Sequence, residues 1–407
     1  MMMRKIAIAL LLTGAGTNAL AQQDYKPAFV FAQHQADVML KETNKAKNPD
    51  KPNLVSPRTL GRNGELVLVP TRDWCSGFFP GNLWFLYEYT GAESWKQKAV
   101  PFTTLMEAEK ANAGTHDMGF KLYNSVGNAY RLTHDAHYKD VVLEAAKTLV
   151  TRFNPKVGSL KSWDNRKEWK FPVIIDNMMN LELLFEAAKL SGDKRFYNVA
   201  VTHANTTMKN HFRENYSSYH VVDYDPETGA VLHKQTHQGF ADSSSWARGQ
   251  AWGLYGFTMC YRETHNKAYL QQAEQIARFI FSNPNMPADL VPYWDYDATD
   301  IKTQPRDASA AAVTASALYE LSTYSKNGKK YKATADKIIK SLHTAYQAQP
   351  DSARGFMLLH STGHLPAKSE IDVPIIYADY YYLEALLRQK RLTEKKPVIN
   401  AAGTLKN

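Results

Sequence analysis

The 407-residue sequence contains only two cysteines, Cys75 and Cys260. This count excludes a disulfide-stabilised scaffold, and the spacing of the two residues matches no metal-binding motif. We therefore expect both to be buried free thiols. The sequence also lacks a His-Glu-x-x-His motif and any other paired-histidine spacing. We predict no metal ion and no cofactor.

Long apolar runs are absent after the N-terminus, and no later segment approaches the length that spans a bilayer. The N-terminus itself has Arg4 and Lys5, then the apolar run IAIALLL, then Ala-Leu-Ala before Gln22. This pattern is typical of a signal peptide, so we predict cleavage after residues 1–21. No cysteine follows the cleavage site, so no lipid anchor is expected there. The mature protein is predicted to be exported, periplasmic or secreted, without a membrane partner.

Charge of one sign is in modest excess: the formal net charge is +9, and +7 once Arg4 and Lys5 are removed. Such an excess favours anionic partners, but it indicates no nucleic-acid partner. Hydrophobic residues make up 44% and aromatic residues 12%, which excludes a disordered chain. The length allows one large domain or two. We predict a single domain over residues 22–395 and a C-terminal tail over 396–407.

Strand-like alternation is also scarce, and helical periodicity dominates. Residues 137–150 are amphipathic, with Tyr138, Val142 and Leu149 on one face and Lys139 and Glu144 on the other. Residues 117–132 leave little polar face, which predicts a helix buried on most sides. One small β-hairpin is predicted over 219–233, around the turn Pro-Glu-Thr-Gly.

A turn recurs along the chain in the segments YEYTGAESW, YRLTHDAHY, AKLSGDKRFY and YRETHNKAYL, and more loosely in STYSKNGKKYK. Each ends one helix and begins another, since Gly or Asn accepts a left-handed cap and Asp or Asn can cap the next helix. Five positions lie 15 to 18 residues before these turns: Asp73, Asp117, Asp176, Trp246 and Asp307. A sixth such segment begins at Asp372. Six buried helices alternating with amphipathic ones predict an all-α toroid of six helical hairpins.

The tripeptide Thr-His-Asp occurs twice, at 115–117 and 133–135. His116 and Asp117 precede a predicted inner helix, whereas His134 and Asp135 follow it. Sixteen residues of helix separate the two copies by roughly 24 Å. We therefore predict that the first copy lies at the mouth of the toroid and the second at its base.

The predicted starts of the inner helices are rich in Asp, His, Arg and Trp. Carboxylates, a guanidinium and aromatic faces suit a site for an acidic sugar. Aspartate is also a favoured N-cap, and we predict capping for Asp307 and Asp372. Asp117 and Asp176 have apolar neighbours, which would raise a carboxyl pKa and suit a general acid. From these residues alone, capping and catalysis both remain open. His203, His211 and His265 are predicted to be structural.

The segments DWCSGFFPGNLWFLYE, HDMGF, IIDNMMNLELL, THQGFADSSSWARGQAWGLYG and DVPIIYADYYYLEALLR resemble family 88 of the glycoside hydrolases, the unsaturated glucuronyl hydrolases. The resemblance extends from about residue 30 to about residue 390. It implies an α6/α6 barrel, in agreement with the six hairpins. It also implies a substrate left by a polysaccharide lyase, with a 4,5-unsaturated uronate at its non-reducing end. Hydration of that vinyl ether would release the sugar.

The resemblance assigns roles residue by residue. It implies that Asp176 is the general acid and base and that Asp117 is the second essential carboxylate. Two nearby carboxylates also raise one another's pKa, which would help to keep Asp176 protonated. Arg248 would contact an anionic or hydroxyl group, and Trp252 would stack on the sugar ring. The further substrate-binding positions are His116, Trp163, His220, Thr236, Gln238, Trp246, Arg248 and Trp252, with Trp74 at the rim.

The segment LLHSTGHLPAKSE lies where family members contact the neighbouring sugar. Ser361, His364 and Lys368 would bind an anionic group there, with a solvated loop as the alternative.

Two alternatives to an unsaturated glucuronyl hydrolase acting on glycosaminoglycan fragments stay open. An unsaturated rhamnogalacturonyl hydrolase would share the barrel and the chemistry but take pectin fragments; HDMGF and WARGQAW argue against it. A non-catalytic glycan-binding protein would need the tryptophans and Arg248 but not Asp176.

Overall fold

The computed structural model describes residues 25–164 and 167–399. The predicted signal peptide lies outside these residues, as does most of the predicted tail. The described part is mostly helical, as the periodicity predicted. Its α-helices are α1 (Lys26–Ala46), α2 (Phe78–Thr90), α3 (Glu93–Met106), α4 (Asn128–Thr133), α5 (Ala136–Val150), α6 (Leu181–Ser191), α7 (Lys194–Asn210), α8 (Ala247–Thr264), α9 (Lys267–Ser282), α10 (Ala308–Leu321), α11 (Gly328–Ser341) and α12 (Ile376–Thr393).

The even-numbered helices form an inner ring and the odd-numbered helices an outer one. Neighbouring inner helices pack on each other, and α2 packs on α12, which closes the ring. The outer partner of α12 is α1, which comes from the other end of the chain and contacts both α12 and α2. The predicted α6/α6 barrel is therefore confirmed.

Burial separates the two rings as the sequence pattern requires. All fourteen residues of α10 are buried, and most of them are Ala, Ser or Thr, which let its neighbours approach closely. In the outer helix α5, the buried side includes Tyr138, Val142 and Leu149, which is the predicted apolar face. The predicted thiols Cys75 and Cys260 are both buried and unpaired.

Two inner helices start irregularly, at the points where the sequence placed Asp117 and Asp176. A π-helix covers Gly119–Gly127 before α4, and a 3-10 turn covers Ile175–Asn180 before α6. The two segments touch at Gly119, where a Cβ atom would lie only 2.6 Å from the Cα atom of Asn180. The Asn180 side chain also accepts a hydrogen bond from the Phe120 backbone N–H at 3.0 Å. A glycine is required at 119 because no side chain fits between the two backbones.

The predicted hairpin at 219–233 is confirmed as a pair of antiparallel strands, to which a third strand is added. The pairing of Ile174 with Val221, together with a bond from the Ile175 N–H to the His220 carbonyl, holds His220 beside the segment that carries Asp176. Two other short hairpins were not predicted, since strands of two to five residues carry little periodicity. The strands are β1 (Ser56–Leu60), β2 (Leu66–Val69), β3 (Phe153–Asn154), β4 (Ser159–Leu160), β5 (Pro172–Ile174), β6 (Val221–Tyr224) and β7 (Val231–Gln235).

The recurring turn has the predicted geometry. Gly91, His134, Gly192 and His265 each adopt a left-handed conformation directly after an inner helix, with φ between 54° and 73°. The residue that follows then caps the next outer helix in three of these turns: Asp135, Asp193 and Asn266 each accept a backbone N–H. Left-handed backbone is unfavourable for residues other than glycine.

This strain gives a first prediction. His134→Gly and His265→Gly should each raise the free energy of unfolding by about 1 kcal/mol, because glycine adopts this conformation at little cost. Chemical denaturation measures the change. Gly91→Ala and Gly192→Ala are the matched controls, since open space surrounds both glycines and only the backbone would be strained. In the two control variants the free energy of unfolding should fall by about as much as it rises in the histidine variants. A change of the opposite sign in either set would contradict the strain argument.

The base of the barrel holds a charge network that the sequence did not reveal. Arg262 bonds to Glu182 and Glu320, and Arg388 contacts Glu320 and Glu384. A cavity of about 1000 Å³ is lined by Arg262, Arg388, Glu182 and Glu384, together with His134 of the second Thr-His-Asp copy. Val398 is buried in the core, so the chain still packs on the barrel after residue 395, where we had placed the domain boundary.

Candidate active site

Asp176 lies in the 3-10 turn between β5 and α6, at the start of an inner helix. It is 8% exposed, and its Oδ2 atom has no hydrogen-bond partner in the protein. Burial raises the pKa of Asp176 to about 7, against the opposing charge of Arg248, and the charge of Asp117 adds to the rise. At neutral pH a large fraction of this carboxyl group is therefore protonated, as a general acid requires.

Asp117 lies just before the π-helix and is held by the residues on its N-terminal side. Its Oδ2 accepts a hydrogen bond from the Thr115 hydroxyl at 2.9 Å, and its Oδ1 lies 3.3 Å from His116 Nε2, although no hydrogen bond joins these two atoms. His116 is fully buried, and burial lowers its pKa despite the charge of Asp117. In the second copy, Asp135 only caps α5, by accepting the His137 N–H. The prediction that the two copies differ is confirmed.

His220 belongs to an aromatic cluster beside Asp176. Its ring lies 4.6 Å from that of Trp246, centre to centre, and 6.2 Å from that of Trp163. Trp163 stacks on Trp169 at 5.2 Å, with His237 against the edge of both. The structure thus brings Trp163, His220 and Trp246 together, as the resemblance implied. Trp169 and His237 were not singled out in the sequence. Trp169 lies outside the quoted segments, whereas His237 lies within THQGFADSSSWARGQAWGLYG but received no role.

Arg248 is buried in the first turn of α8, and its guanidinium bonds to groups of the protein. Nη1 donates to Asp307 Oδ2 at 2.7 Å and to the Thr362 carbonyl at 2.6 Å, while Nη2 donates to the Gly363 carbonyl at 2.5 Å. The guanidinium also stacks over Trp246 at 4.6 Å. A contact between Arg248 and a sugar remains a prediction, because the two outer nitrogens already have partners.

The two aspartates that we predicted to be caps have different roles. Asp307 caps α10 by accepting the Ser309 and Ala310 N–H groups, as predicted, and also pairs with Arg248. For Asp372 the prediction was wrong, because α12 begins only at Ile376 and the Asp372 carboxylate contacts His360 Nδ1 at 2.7 Å. The intervening Pro374 explains this, since a residue that precedes proline is disfavoured in a helix.

Residues 361–373 form an antiparallel hairpin over the mouth, which we call the mouth hairpin. Ser361 pairs with Val373, and His364 pairs with Ser369. Arg58 clamps Glu370 with two bonds, at 2.6 and 2.9 Å, and also bonds to Asp73. The alternative of a solvated loop is therefore wrong for the base of this segment.

The three anion-binding candidates are spread along the mouth hairpin. Ser361 is fully buried at its base, and its hydroxyl has no partner in the protein. The ring of His364 contacts the carbonyl of His237 at 2.9 Å. Lys368 lies at the exposed tip, separate from the buried base. Anion binding by these three residues remains a prediction.

The remaining predicted positions also lie around this end of the barrel. Gln238 donates to the Gly363 carbonyl at 3.0 Å, and the Thr236 hydroxyl accepts the Gly239 N–H at 2.8 Å. Trp252 is fully buried, with its ring beside those of Phe120 and Tyr381. Trp74 is partly buried against Phe120 and Tyr377. Ring stacking by Trp252 stays a prediction, and in this conformation its ring is packed in the core.

Several buried polar atoms converge here without a hydrogen-bond partner in the protein. Buried polar groups in folded proteins are nearly always hydrogen-bonded, so these atoms are available to bond to water or to a polar ligand. Tyr377 and Trp169 were missed in the sequence, where they sit in aromatic runs that resemble ordinary core. The atoms are Asp176 Oδ2, His116 Nδ1 and Nε2, Trp169 Nε1, His220 Nε2, Trp252 Nε1, Ser361 Oγ and Tyr377 Oη.

Within residues 25–164 and 167–399, no group of three or more His, Cys, Asp or Glu side chains is arranged to hold a metal ion. The helices described there include none that is long and apolar enough to cross a membrane.

The pKa of Asp176 predicts the pH dependence of any reaction that needs it as an acid. The protonated form is lost as the pH rises through about 7, so kcat/KM, which reports the free enzyme, should fall on the alkaline side with that midpoint. A pH profile of kcat/KM, taken at substrate concentrations well below KM, measures the midpoint. A midpoint near 4, the usual range of an aspartate, would show that Asp176 is not raised in pKa or is not the acid.

Comparison with known proteins identifies the family of this chain. The model of Glycosyl Hydrolase Family 88 matches residues 57–386. An unsaturated glucuronyl hydrolase of Formosa agariphila is 53% identical over 343 residues, which cover 83% of this chain and 86% of that protein. The crystal structure of an unsaturated glucuronyl hydrolase specific for heparin is similar, with a TM-score of 0.86 and 46% identity, over 92% of this chain and all of that one.

A third relative shows a ligand. An Asp-to-Asn mutant of the unsaturated glucuronyl hydrolase from Streptococcus agalactiae, in complex with dGlcA-GalNAc6S, has a TM-score of 0.74 and 28% identity, over 90% of this chain and 91% of that one. Nearly the whole described barrel is shared with these hydrolases. The chain belongs to glycoside hydrolase family 88.

Proposed function

We propose that this protein removes the 4,5-unsaturated glucuronyl residue from the non-reducing end of oligosaccharides that a polysaccharide lyase has produced. The observation that carries the proposal is the buried carboxyl of Asp176, whose pKa is raised to about 7 and whose Oδ2 has no partner in the protein. A glycan-binding protein would gain nothing from a protonated carboxyl at this position, whereas proton transfer to a sugar alkene requires one.

The chemistry follows from the substrate. Asp176 gives its proton to C4, and positive charge develops at C5, where the ring oxygen shares it. Water then adds at C5 and returns a proton to the Asp176 carboxylate. The resulting hemiketal opens to a ketone at C5, and C1, now an open-chain hemiacetal, releases the second sugar. One carboxyl therefore serves as acid and then as base, and no attack on the anomeric carbon is needed.

The neighbouring groups support this sequence of proton transfers. The negative charge of Asp117 helps to keep Asp176 protonated before the reaction. Arg248 opposes that effect and favours the carboxylate formed after proton transfer. The pKa of about 7 is the balance of burial and these charges, and it suits a group that must both give and accept a proton.

We further propose that the substrates derive from glycosaminoglycans and that the protein acts after export, with cleavage behind Ala21. Relatives described as hydrolases for heparin and in complex with dGlcA-GalNAc6S support the first statement. The pattern of residues 1–21 supports the second.

The test is a matched pair of disaccharides that differ only in the C4=C5 bond. The unsaturated glucuronyl disaccharide should be split, with loss of the ultraviolet absorbance of the conjugated bond, and the saturated one should not. Turnover of both would indicate ordinary glycoside hydrolysis. Binding without turnover would favour the glycan-binding alternative, and turnover of only unsaturated rhamnogalacturonan fragments would favour the pectin alternative.

A panel of unsaturated chondroitin, hyaluronan and heparin disaccharides, with and without sulfate, then identifies the parent polysaccharide. Exported protein is checked by fractionation and by the N-terminal residue of the mature chain, which should be Gln22.

A further inference from the structure

His220 has a hydrogen-bonding pattern that determines where its proton lies. Its Nδ1 atom accepts two backbone N–H groups, from His237 at 3.2 Å and from Gln238 at 3.1 Å. A ring nitrogen that accepts hydrogen bonds carries no proton, so the single proton of the neutral imidazole lies on Nε2.

The protonated nitrogen faces Asp176. Nε2 lies 3.7 Å from Asp176 Oδ2, and neither atom has a hydrogen-bond partner in the protein. A separation of 3.7 Å is too long for a direct hydrogen bond. It allows one oxygen atom, of a sugar or of water, to bond to both groups from the side.

The two N–H groups are held in place by a tightly fixed turn, residues 236–240. The Phe240 N–H donates to Asp295 Oδ2 at 2.9 Å, and the Gly239 N–H donates to the Thr236 hydroxyl at 2.8 Å. A Cβ atom at 239 would lie 2.6 Å from that hydroxyl and 2.9 Å from Asp295 Oδ2. The turn therefore admits only glycine at this position, and Asp295 anchors it.

We propose that turn 236–240 fixes His220 as the neutral tautomer with its proton on Nε2, and that this imidazole serves the reaction solely as a hydrogen-bond donor beside Asp176. Asp295 acts through the turn as a positioning residue. The role in turnover rests on the proposed function, whereas the tautomer does not.

The groups that face His220 favour the neutral ring. Burial lowers the pKa of His220 well below its usual value, and His237 from the turn, His364 from the mouth hairpin, Arg248 from α8 and His211 act in the same direction. The Asp176 carboxylate, 3.7 Å away, would favour an imidazolium, but the pKa of Asp176 is itself raised. A charged imidazole beside Asp176 would promote ionisation of the acid, so the neutral ring preserves the proton that the reaction needs.

The direct test is nitrogen NMR of the full mature chain labelled with ¹⁵N-histidine. The signal of His220 is the one that disappears in His220→Gln. Nδ1 should give the shift of an unprotonated nitrogen and Nε2 that of a protonated one, without change between pH 5 and 8 (about one and a half units either side of the usual histidine pKa). Protonation of Nδ1, or titration within that range, would overturn the proposal.

Asp295→Asn tests the turn, because an amide accepts more weakly than a carboxylate and releases the Phe240 N–H. We expect a second tautomer, or titration, of His220 in this variant. An unchanged spectrum would show that Asp295 has no such role.

Kinetics test the donor role. His220→Ala should lower kcat about a hundredfold, the usual effect of removing one donor from a reacting centre. His220→Gln keeps an N–H donor and should recover most of this loss, whereas equal losses in both variants would contradict donation. If the wild-type protein splits no unsaturated disaccharide, the proposed function fails while the NMR result still decides the tautomer.

Discussion

Asp176→Asn should lower kcat by at least about a thousandfold, since general acid–base catalysis contributes factors of this size. The amide has the shape of the carboxyl group but cannot give a proton to C4 or take one from water. Binding of the unsaturated disaccharide should persist, because the amide oxygen of the variant still offers an acceptor and the surrounding donors are unchanged. Stopped assays with high enzyme concentration measure the residual rate, and calorimetry measures binding.

The same substitution should increase stability at alkaline pH. The pKa of Asp176 is about 7 in the folded protein and 3.8 without the fold, so the folded state binds more protons between these values. Stability contributed by this group is therefore present below about pH 4 and is lost as the pH rises to 7, by as much as about 4 kcal/mol. Asp176→Asn should match the wild type near pH 4 and unfold at a higher temperature at about pH 8. A variant that is inactive and less stable at both pH values would point to misfolding rather than to the loss of an acid.

Asp117→Asn should lower kcat about a hundredfold and also shift the pH profile. Its negative charge contributes to the raised pKa of Asp176, so its removal lowers that pKa. The alkaline limb of the profile should then move to lower pH. This shift distinguishes an electrostatic role from simple loss of substrate binding, which would raise KM without moving the limb.

The second Thr-His-Asp copy supplies the matched control for Asp117. Asp135→Asn replaces one good N-cap by another and should leave kcat, KM and the pH profile unchanged. An effect of Asp135→Asn comparable to that of Asp117→Asn would mean that the first variant acts through helix stability.

The architecture was predictable because it depends on local patterns. The buried inner helices, the amphipathic outer helices and the left-handed turns follow from residue order along one element. Asp372 shows where this reasoning fails. An aspartate before an apolar helix was predicted to be its cap, but Pro374 intervenes and α12 begins only at Ile376. The π-helix at Gly119 was also missed; the contact made there is with Asn180, about sixty residues away, which no local pattern reveals.

The residue types and motifs of the site were predictable, but the hydrogen bonds between its residues were not. Arg248 was expected to face a sugar, yet carbonyls of Thr362 and Gly363 occupy its nitrogens, and no local pattern records that contact. The hydrogen bonds to His220 likewise join separate segments of the chain. Such details depend on tertiary packing, which sequence periodicity does not encode.

The absence of a side chain at Gly119 affects residues beyond its own position. Its missing methyl group lets two backbones meet, one leading from Asp117 and the other from Asp176. A single added carbon there would wedge these stretches of chain apart and change the acidity of a proton that it never touches. The spacing of Asp117 and Asp176 therefore depends on the absence of a side chain at residue 119.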